Sequence, residues 1–406
     1  MIIPSTEHKP YSIWYPIVAV SSGTFVMVTS EFLPIGLLSP MALDLGVSAG
    51  RAGLFVTVPG LMAAIAAPVG AILVGKADRR KILVCFSGLI CLSNVIVALA
   101  DSFTQVLLAR FLLGISVGGF WTFAASSGRR MVAPSQGNRA TVVILTGISA
   151  GTVFGVPIGT AIGDLAGWRA AFAAVAGLSL IVLVAQLVLL PTLTGGNRAT
   201  VSGFAALLRV RRAAMGFCAA ALASAGHFAA YTYLEPYLKA EAQFSSTALS
   251  WTLAGYGLAG MFGTVAAERL GSRDIRMAYL TAALLMAVAI PLAAAVSGYP
   301  GWVAACVVTW GASFGAINVC VQIWTFEAAP KKFEAGSAVM VTVFQIALAT
   351  GAFAGGVIVD EAGIPYAFLT AASLCLLCAA TIFVAGACAR PKDEIGLPIN
   401  AAERAS

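Results

Sequence analysis

TGISAGTVFGVPIGTAIGDLAGWR, residues 146–169, is the stretch from which the rest of the chain is read. Gly147, Gly151, Gly155, Gly159 and Gly163 recur in steps of four, with Pro157 among them and Gly167 one step further. In a soluble helix each Gly costs about 1 kcal/mol, and Pro about 3 kcal/mol, relative to Ala. In hydrocarbon the judgement reverses. The backbone must bond to itself, and small residues let neighbouring helices come close. Steps of four put the glycines on one gently winding stripe and leave Val153, Phe154 and Ile158 for the other faces. The stripe is either a GxxxG packing seam or a bendable, tightly packed helix between two halves of a transporter.

The whole chain fits that setting. Its 406 residues are 60% hydrophobic and only 10% charged, with mean hydropathy +0.93, against about 25% charged in soluble domains. The opening MIIPSTEHKPYSIW lacks a basic start and a small-residue cleavage site, so it reads as a short polar tail and not as a secretory signal. Cys85, Cys91, Cys218, Cys306, Cys320, Cys375, Cys378 and Cys388 all fall in apolar stretches and build no disulfide framework. The CxxC of Cys375 and Cys378 has no basic activator and reads as packing.

A span needs about 20 apolar residues. Candidates lie at 13–38, 52–75, 82–100, 103–126, 140–164, 169–191, 213–236, 246–268, 277–297, 301–326, 335–359 and 364–388. Threading them through a bilayer puts every one of the 24 Lys and Arg residues on one side except Arg51, Arg169 and Lys239 opposite and Arg110 within a span. By the positive-inside rule that side, and both termini, are cytoplasmic. The net charge of +7 is thus a matter of topology and does not point to nucleic acid. The expected fold is an all-α integral membrane protein of twelve transmembrane helices in two six-helix bundles, residues 1–191 and 213–390. They are joined by a cytoplasmic linker, 192–212, in which Phe204–Arg212 could lie as a short helix on the membrane surface. Residues 391–406 form a cytoplasmic tail.

The bundles repeat. At a fixed offset of 196 residues, Phe32 falls on Phe228, Pro40 on Pro236, and Gly75, Asp78 and Arg80 on Gly271, Asp274 and Arg276. Pro134 falls on Pro330, and Gly155, Gly159, Asp164, Gly167 and Phe172 on Gly351, Gly355, Asp360, Gly363 and Phe368. The matches fall on loop charges and span-end prolines, which chance identities in a Gly- and Ala-rich chain do not explain. Two parallel repeats of this kind build a cavity that opens alternately to each side.

These features resemble the major facilitator superfamily, in particular its twelve-span drug:proton antiporters, over essentially the whole chain. LLARFLLGISVGG, with Arg110 and Gly114, resembles the family's fourth-span motif, and GTVFGVPIG, with Gly151, Gly155, Pro157 and Gly159, its fifth-span antiporter motif. GKADRRK resembles the cytoplasmic Gly-x-x-x-Asp-Arg loop, although Gly75 stands one residue nearer Asp78 and the glycine after the Asp-Arg pair is missing. Residues 30–48, 118–126, 166–172 and 226–238 look most like the branch that exports sugars and purine ribonucleosides. The resemblance implies an efflux antiporter of a bacterial-type inner membrane, and a role for Arg110 in proton coupling.

Ionisable residues within spans are functional candidates, and here they are Glu31, Arg110 and His227. The repeat sets His227 against Glu31. Taking either from water disfavours its charged form, so either could exchange a proton; otherwise Glu31 is a helix-end carboxylate in wet headgroups and His227 a packed, hydrogen-bonded residue. Arg110 keeps its proton and either couples or pairs with a backbone carbonyl or with Glu31. Asp78, Arg79 and Arg80 with Lys81 form a conformational latch or a positive-inside anchor. Trp121, Tyr231, Tyr233, Trp310, Asn318, Gln322 and Gln345 supply the aromatic walls and polar groups a substrate cavity needs, although Trp310 and Trp324 could only pack. Asn318 and Gln322 share a helix face. Glu235, before Pro236, is either a gate rim or simply solvated.

No HExxH, phosphate-cradling loop or Ser-His-Asp set argues for a membrane-embedded enzyme, and the longest hydrophilic stretch is too short for a sensor's output domain. The expected activity is proton-coupled efflux of small organic solutes such as sugars, nucleosides or drugs; an importer or facilitator of the same fold is the alternative. The expected partners are the solute, protons and the lipid bilayer, with a monomeric chain, no cofactor and no metal.

Overall fold

The structure, a computed structural model, describes residues 14–73, 77–193, 209–328 and 333–387. Most of the expected linker helix, and the tail at 391–406, lie outside those residues. Among the described residues eleven helices are long and apolar enough to cross a bilayer. α1 is Trp14–Gly36, α2 Leu54–Leu73, α3 Arg79–Ala98, and α4 Phe103–Arg130. α5 begins as Gly137–Ala150, passes through a π-helical turn, Gly151–Gly155, and ends as Val156–Ala166. α6 is Trp168–Leu189 and α7 Arg211–Tyr231.

The next helix, Ser246–Ala295, runs 50 residues where two spans are expected. At about 1.5 Å per residue it would be more than twice the roughly 30 Å of hydrocarbon. Asp274 breaks it, with extended backbone (φ −153°, ψ 97°) inside otherwise helical chain, and Asp274 Oδ1 caps the second limb by accepting from Met277 N at 3.0 Å. The limbs 246–273 and 275–295 are α8 and α9. α10 is Pro300–Ala328, α11 Phe333–Glu361 and α12 Ile364–Ala387. Among the described residues the fold is thus twelve long helices in two pseudo-symmetric bundles of six, with short helical turns between them.

Each bundle has its own core. One gathers buried side chains from Ile17 to Leu190, with Tyr233 added from the second bundle. The other runs from Ala219 to Ala385, with Ile35, Val56 and Val156 added from the first. The 196-residue repeat is visible in contacts. Arg80 Nη2 donates to Leu187 O at 2.6 Å, and Arg276 Nη2 to Phe383 O at 2.9 Å, so donor and acceptor both move by the same offset.

The glycine stripe packs against α1. A Cβ added at Gly147, Gly151, Gly155, Gly159 or Gly163 would strike, in turn, Ser21 O, Phe25 O, Thr29, Leu33 and Leu37, which also advance in steps of four. In the second bundle Gly351 and Gly355 stand in the same way against the carbonyls of Ala225 and Ala229. The glycine seam therefore lies inside one bundle. The contact with the other bundle is made beside it, where Gly257 of α8 meets the Thr152–Val153 backbone. Phe154 and Ile158 face outward, both more than half exposed. Pro157 offers no amide hydrogen to Val153 O, and the helix widens just before it into the π turn, in which Val156 N reaches Gly151 O.

Gly155→Leu and Gly159→Leu force bulk into α1 and should lower detergent thermostability, at a cost of about 1–3 kcal/mol. Pro157→Ala restores an amide hydrogen and should leave the protein at least as stable while impairing transport in vesicles. A fully active Pro157→Ala protein would reduce α5 to a packing seam.

Candidate functional site

Two prolines prepare the site. Pro34 in α1 has no amide hydrogen for Ser30 O, the carbonyl one turn earlier, and Pro59 in α2 strands Phe55 O in the same way. In hydrocarbon a stranded carbonyl needs another donor. Arg110, fully buried in α4, supplies it: Nη1 donates to Ser30 O at 2.6 Å, Nε to Phe55 O at 2.8 Å, and Nη2 to Glu31 O at 2.7 Å. Of the options the sequence left open for Arg110, bonding to backbone carbonyls is present, and it joins α1, α2 and α4. From α3, Asn94 Nδ2 donates to Ser30 Oγ at 2.8 Å, so the Ser30–Glu31 turn is held from two sides.

The Glu31 side chain, 2% exposed, reaches the other bundle. Its Oε1 accepts from Gln345 Nε2 of α11 at 3.2 Å. Gln345 is itself buried, and its Oε1 has no hydrogen-bond partner. One residue on from Glu31, Phe32 stacks on Phe228, its counterpart in the repeat, with centroids 5.9 Å apart and planes at 15°.

His227, the counterpart of Glu31, lies in an aromatic chamber. Its ring stacks on Phe314 at 3.6 Å and on Tyr231 at 4.8 Å, with Tyr256 stacked beyond at 6.1 Å. Trp310 Nε1 donates to His227 Nδ1 at 3.0 Å. Indole nitrogen only donates, so Nδ1 is an acceptor and the ring carries its proton on Nε2, which faces Tyr256 Oη across 3.4 Å. Of the alternatives for His227, packing and hydrogen bonding are present here, and the ring stands next to the Glu31 junction through Phe228.

The other expected cavity residues divide. Tyr231 lines the chamber. Trp310, Phe314, Asn318 and Gln322 follow one another at four-residue steps down α10, passing from fully buried Trp310 to half-buried Asn318 and exposed Gln322. Trp121 is half-buried against the first core. Tyr233 stands apart: its hydroxyl donates to Ala352 O at 2.7 Å, and its phenol fills the space beside Gly53 and Gly356, where a Cβ would overlap it. Phe228, Tyr256, Phe314 and Phe344 are the residues that sequence reasoning missed. For Phe314 the signal was its place one turn before Asn318, and for Phe228 its repeat match with Phe32; Tyr256 and Phe344, whose ring lies 5.6 Å from Phe228, gave none, since aromatic residues abound in spans.

Above this layer the bundles close on each other at their charge-poor ends. Ser39 donates to Glu235 Oε2 through Oγ at 2.7 Å and through its backbone amide at 2.9 Å; the pair is again separated by the repeat. Asp360 accepts from Ser48 Oγ at 2.6 Å and from Gly50 N at 2.9 Å, where the chain enters α2. Asp164 accepts from Ser246 Oγ at the start of α8, and Lys239 Nζ stands 4.0 Å from Asp164 and 3.5 Å from Glu235. Glu235 thus sits in a rim between bundles. The expected latch residues lie at the opposite, charge-rich end and inside the first bundle. Asp78 Oδ1 accepts from Leu193 N and from Arg80 N, each at 2.9 Å, and the Leu193 amide chiefly holds this carboxyl below its ordinary range. Arg79 N returns a bond to Leu193 O at 3.0 Å, and its guanidinium lies over the Phe123 ring.

Residues 20–335 and 216–405 match the family model described as Major Facilitator Superfamily. The chain is 32% identical over 367 residues to the purine ribonucleoside efflux pump NepI of Shigella sonnei, covering 90% of this chain and 92% of that protein. It is 31% identical over 370 residues to the transcription regulatory protein OpdE of Pseudomonas aeruginosa, covering 90% and 92%. Among solved structures it is similar to a bacterial homologue of the human lysosomal transporter Spinster, in an inward-facing, unoccupied conformation, with TM-score 0.68, 15% identity, and 94% of this chain and 96% of that one covered.

Arg110→Met leaves Ser30 O and Phe55 O without donors, at about 1–3 kcal/mol for each, and should sharply lower detergent thermostability. Adding Pro34→Ala and Pro59→Ala returns the missing amide hydrogens, so the triple variant should regain most of the loss. A triple variant no more stable than Arg110→Met would disprove the pairing.

Proposed function

The chain belongs to the major facilitator superfamily, and from that premise we propose that it is a proton-coupled exporter of small organic solutes, working by alternating access in a bacterial-type inner membrane. As a member of that family it is a multi-pass membrane transporter and not an enzyme. The observation that carries the proposal is Glu31: a buried carboxylate at the junction of the two bundles, bonded across it to Gln345, beneath a layer of contacts that closes one end.

By the positive-inside rule the charge-rich ends face the cytoplasm, so the closed layer of Glu235, Asp360 and Asp164 faces outward and the protein is captured outer-closed. The basic excess is accounted for by this topology. A solute entering from the cytoplasm passes Gln322 and Asn318 and meets the chamber of His227, Tyr231 and Phe314. Planar rings gain from offset stacking on such walls, and the amides and the carboxylate offer hydrogen bonds that fix orientation. Purine ribonucleosides, which the Shigella relative's name specifies, fit both demands and head the list of candidates.

Coupling follows if Glu31 holds either a donor from the solute or a proton, but not both. An ionised Glu31 accepts from the solute inside; when the outer end opens, a proton takes the solute's place. His227 is the second proton-exchanging group, through Nδ1, which must first release the Trp310 N–H. Arg110 holds Glu31 in place by its backbone without neutralising the carboxylate through a direct pair. The Asp78–Leu193 tie joins the start of α3 to the segment just after α6 and keeps the cytoplasmic end of the first bundle rigid, so a latch role for Asp78, Arg79 and Arg80 requires a further contact with the second bundle in another state. The π turn before Pro157, pressed on α8, is the part of α5 that flexes. The working unit is the monomer.

The experiment is transport in proteoliposomes of the purified chain, across a panel of purine ribonucleosides, sugars and cationic drugs, with and without an imposed pH gradient. Gradient-driven accumulation of at least one nucleoside is expected, and Glu31→Gln should abolish the accumulation while the protein stays folded. Wild-type accumulation by Glu31→Gln would overturn the assignment of the coupled proton to Glu31.

A further inference from the structure

An antiporter has one step it must forbid. If the empty carrier, with its carboxylate ionised, could turn outward, it would pick up a proton outside, return, release it inside, and dissipate the gradient with nothing exported. The forbidden species therefore needs a contact that exists only when the carboxylate is ionised and unoccupied, and that binds one bundle to the other.

We infer that Gln345 is that lock: its amide, reaching across from α11, holds an empty and ionised Glu31 in the outer-closed state, and both solute and proton release it. The geometry has the three properties required. The bond is between bundles, from α11 to α1, and not within one. It runs from an amide N–H to the carboxylate, a charge-assisted bond, which is the stronger kind. Its other face is idle, because Gln345 Oε1 is buried and bonds to nothing. A protonated Glu31 can no longer accept as a charge. Its carbonyl oxygen still accepts from the same N–H, but as a neutral bond roughly half as strong. A solute that donates to Glu31 displaces the Gln345 N–H directly.

The surroundings leave Gln345 as the group that reads this charge. Arg110 faces Glu31 from α4, but its guanidinium is spent on Ser30 O, Glu31 O and Phe55 O. On α7, His227 directs its nitrogens to Trp310 and Tyr256. Phe32 and Phe228 stack beside the bond, and Gly60 lets α2 lie against the Gln345 carbonyl and Leu348, so the amide is carried on a closely packed part of the interface. The repeat does not provide a second copy: 196 residues before Gln345 stands Ser149, too short to reach across.

This inference rests on the proposal that Glu31 carries the coupled proton, and its test needs no solute. Proteoliposomes of the full-length protein, loaded with a pH-sensitive dye and given an inward proton gradient, report proton entry in the absence of any solute. Wild type should be tight. Gln345→Leu, and Gln345→Met as the better match in shape, should leak roughly tenfold faster, the scale of a lost hydrogen bond to a charged group. Adding Glu31→Gln to either variant should return the leak to the wild-type level, since the carboxylate on which the lock acts is gone. Gln345 variants as tight as wild type would overturn the lock, and so would a leak that survives Glu31→Gln, which would mark a damaged protein. Failure of the coupling proposal itself shows separately, as gradient-driven accumulation that persists in Glu31→Gln alone.

Discussion

Arg110 is the fastening from which the rest of the site hangs. A guanidinium in hydrocarbon must spend its donors, and prolines at 34 and 59 create the carbonyls on which it spends them. Neither feature is tolerable alone: the prolines strand acceptors, and the arginine is a buried charge. Together they clamp α1, α2 and α4 at one depth and fix the turn that carries Glu31. The carboxylate is thus held firmly by its main chain while its side chain remains available to the opposite bundle. A direct ion pair with Arg110 would have consumed the charge on which the proposed coupling rests.

The fold is a repeat, and function gathers where the repeat is broken. Counterpart contacts recur faithfully where the task is structural: Arg80 with Leu187 and Arg276 with Phe383, or Gly155 against Thr29 and Gly351 against Ala225. On the pseudo-axis the same positions differ in chemistry. Glu31 opposes His227, and Ser39 opposes Glu235, to which it donates. A symmetric pair of carboxylates there would repel; the unlike pairs attract or ignore each other, and so set the closed state.

The contacts at the two depths differ in strength, as the proposed alternating access needs. At the outer rim Lys239 and Asp164 are 4.0 Å apart, each about a third exposed, and such pairs contribute at most about 1 kcal/mol. Serine-to-carboxylate bonds at the helix starts are a little stronger, yet water replaces them when the rim parts. The Arg110 clamp is fully buried, and the glycines of α5 pack directly on α1. In the proposed rocking, the rim and the Gln345–Glu31 bond are the contacts that break while the bundles stay intact.

The sequence by itself determined the twelve spans, their charge asymmetry, the repeat and the candidates Glu31, Arg110 and His227. Hydropathy, charge and the rarity of ionisable groups in apolar runs are local properties, legible one segment at a time. Even the break at Asp274 was implied, since 50 apolar-rich residues cannot cross a bilayer once. Only the tertiary structure decided that the glycine seam faces α1 and not the other bundle, and that Tyr233 belongs to the outer closure. It alone decided that Arg110 bonds to carbonyls freed by Pro34 and Pro59, and that Phe314 walls His227 while Gln345 meets Glu31. Each of these depends on how far one helix is rotated and shifted against another. That is set by the summed packing of many side chains distant in sequence, and no single segment records it.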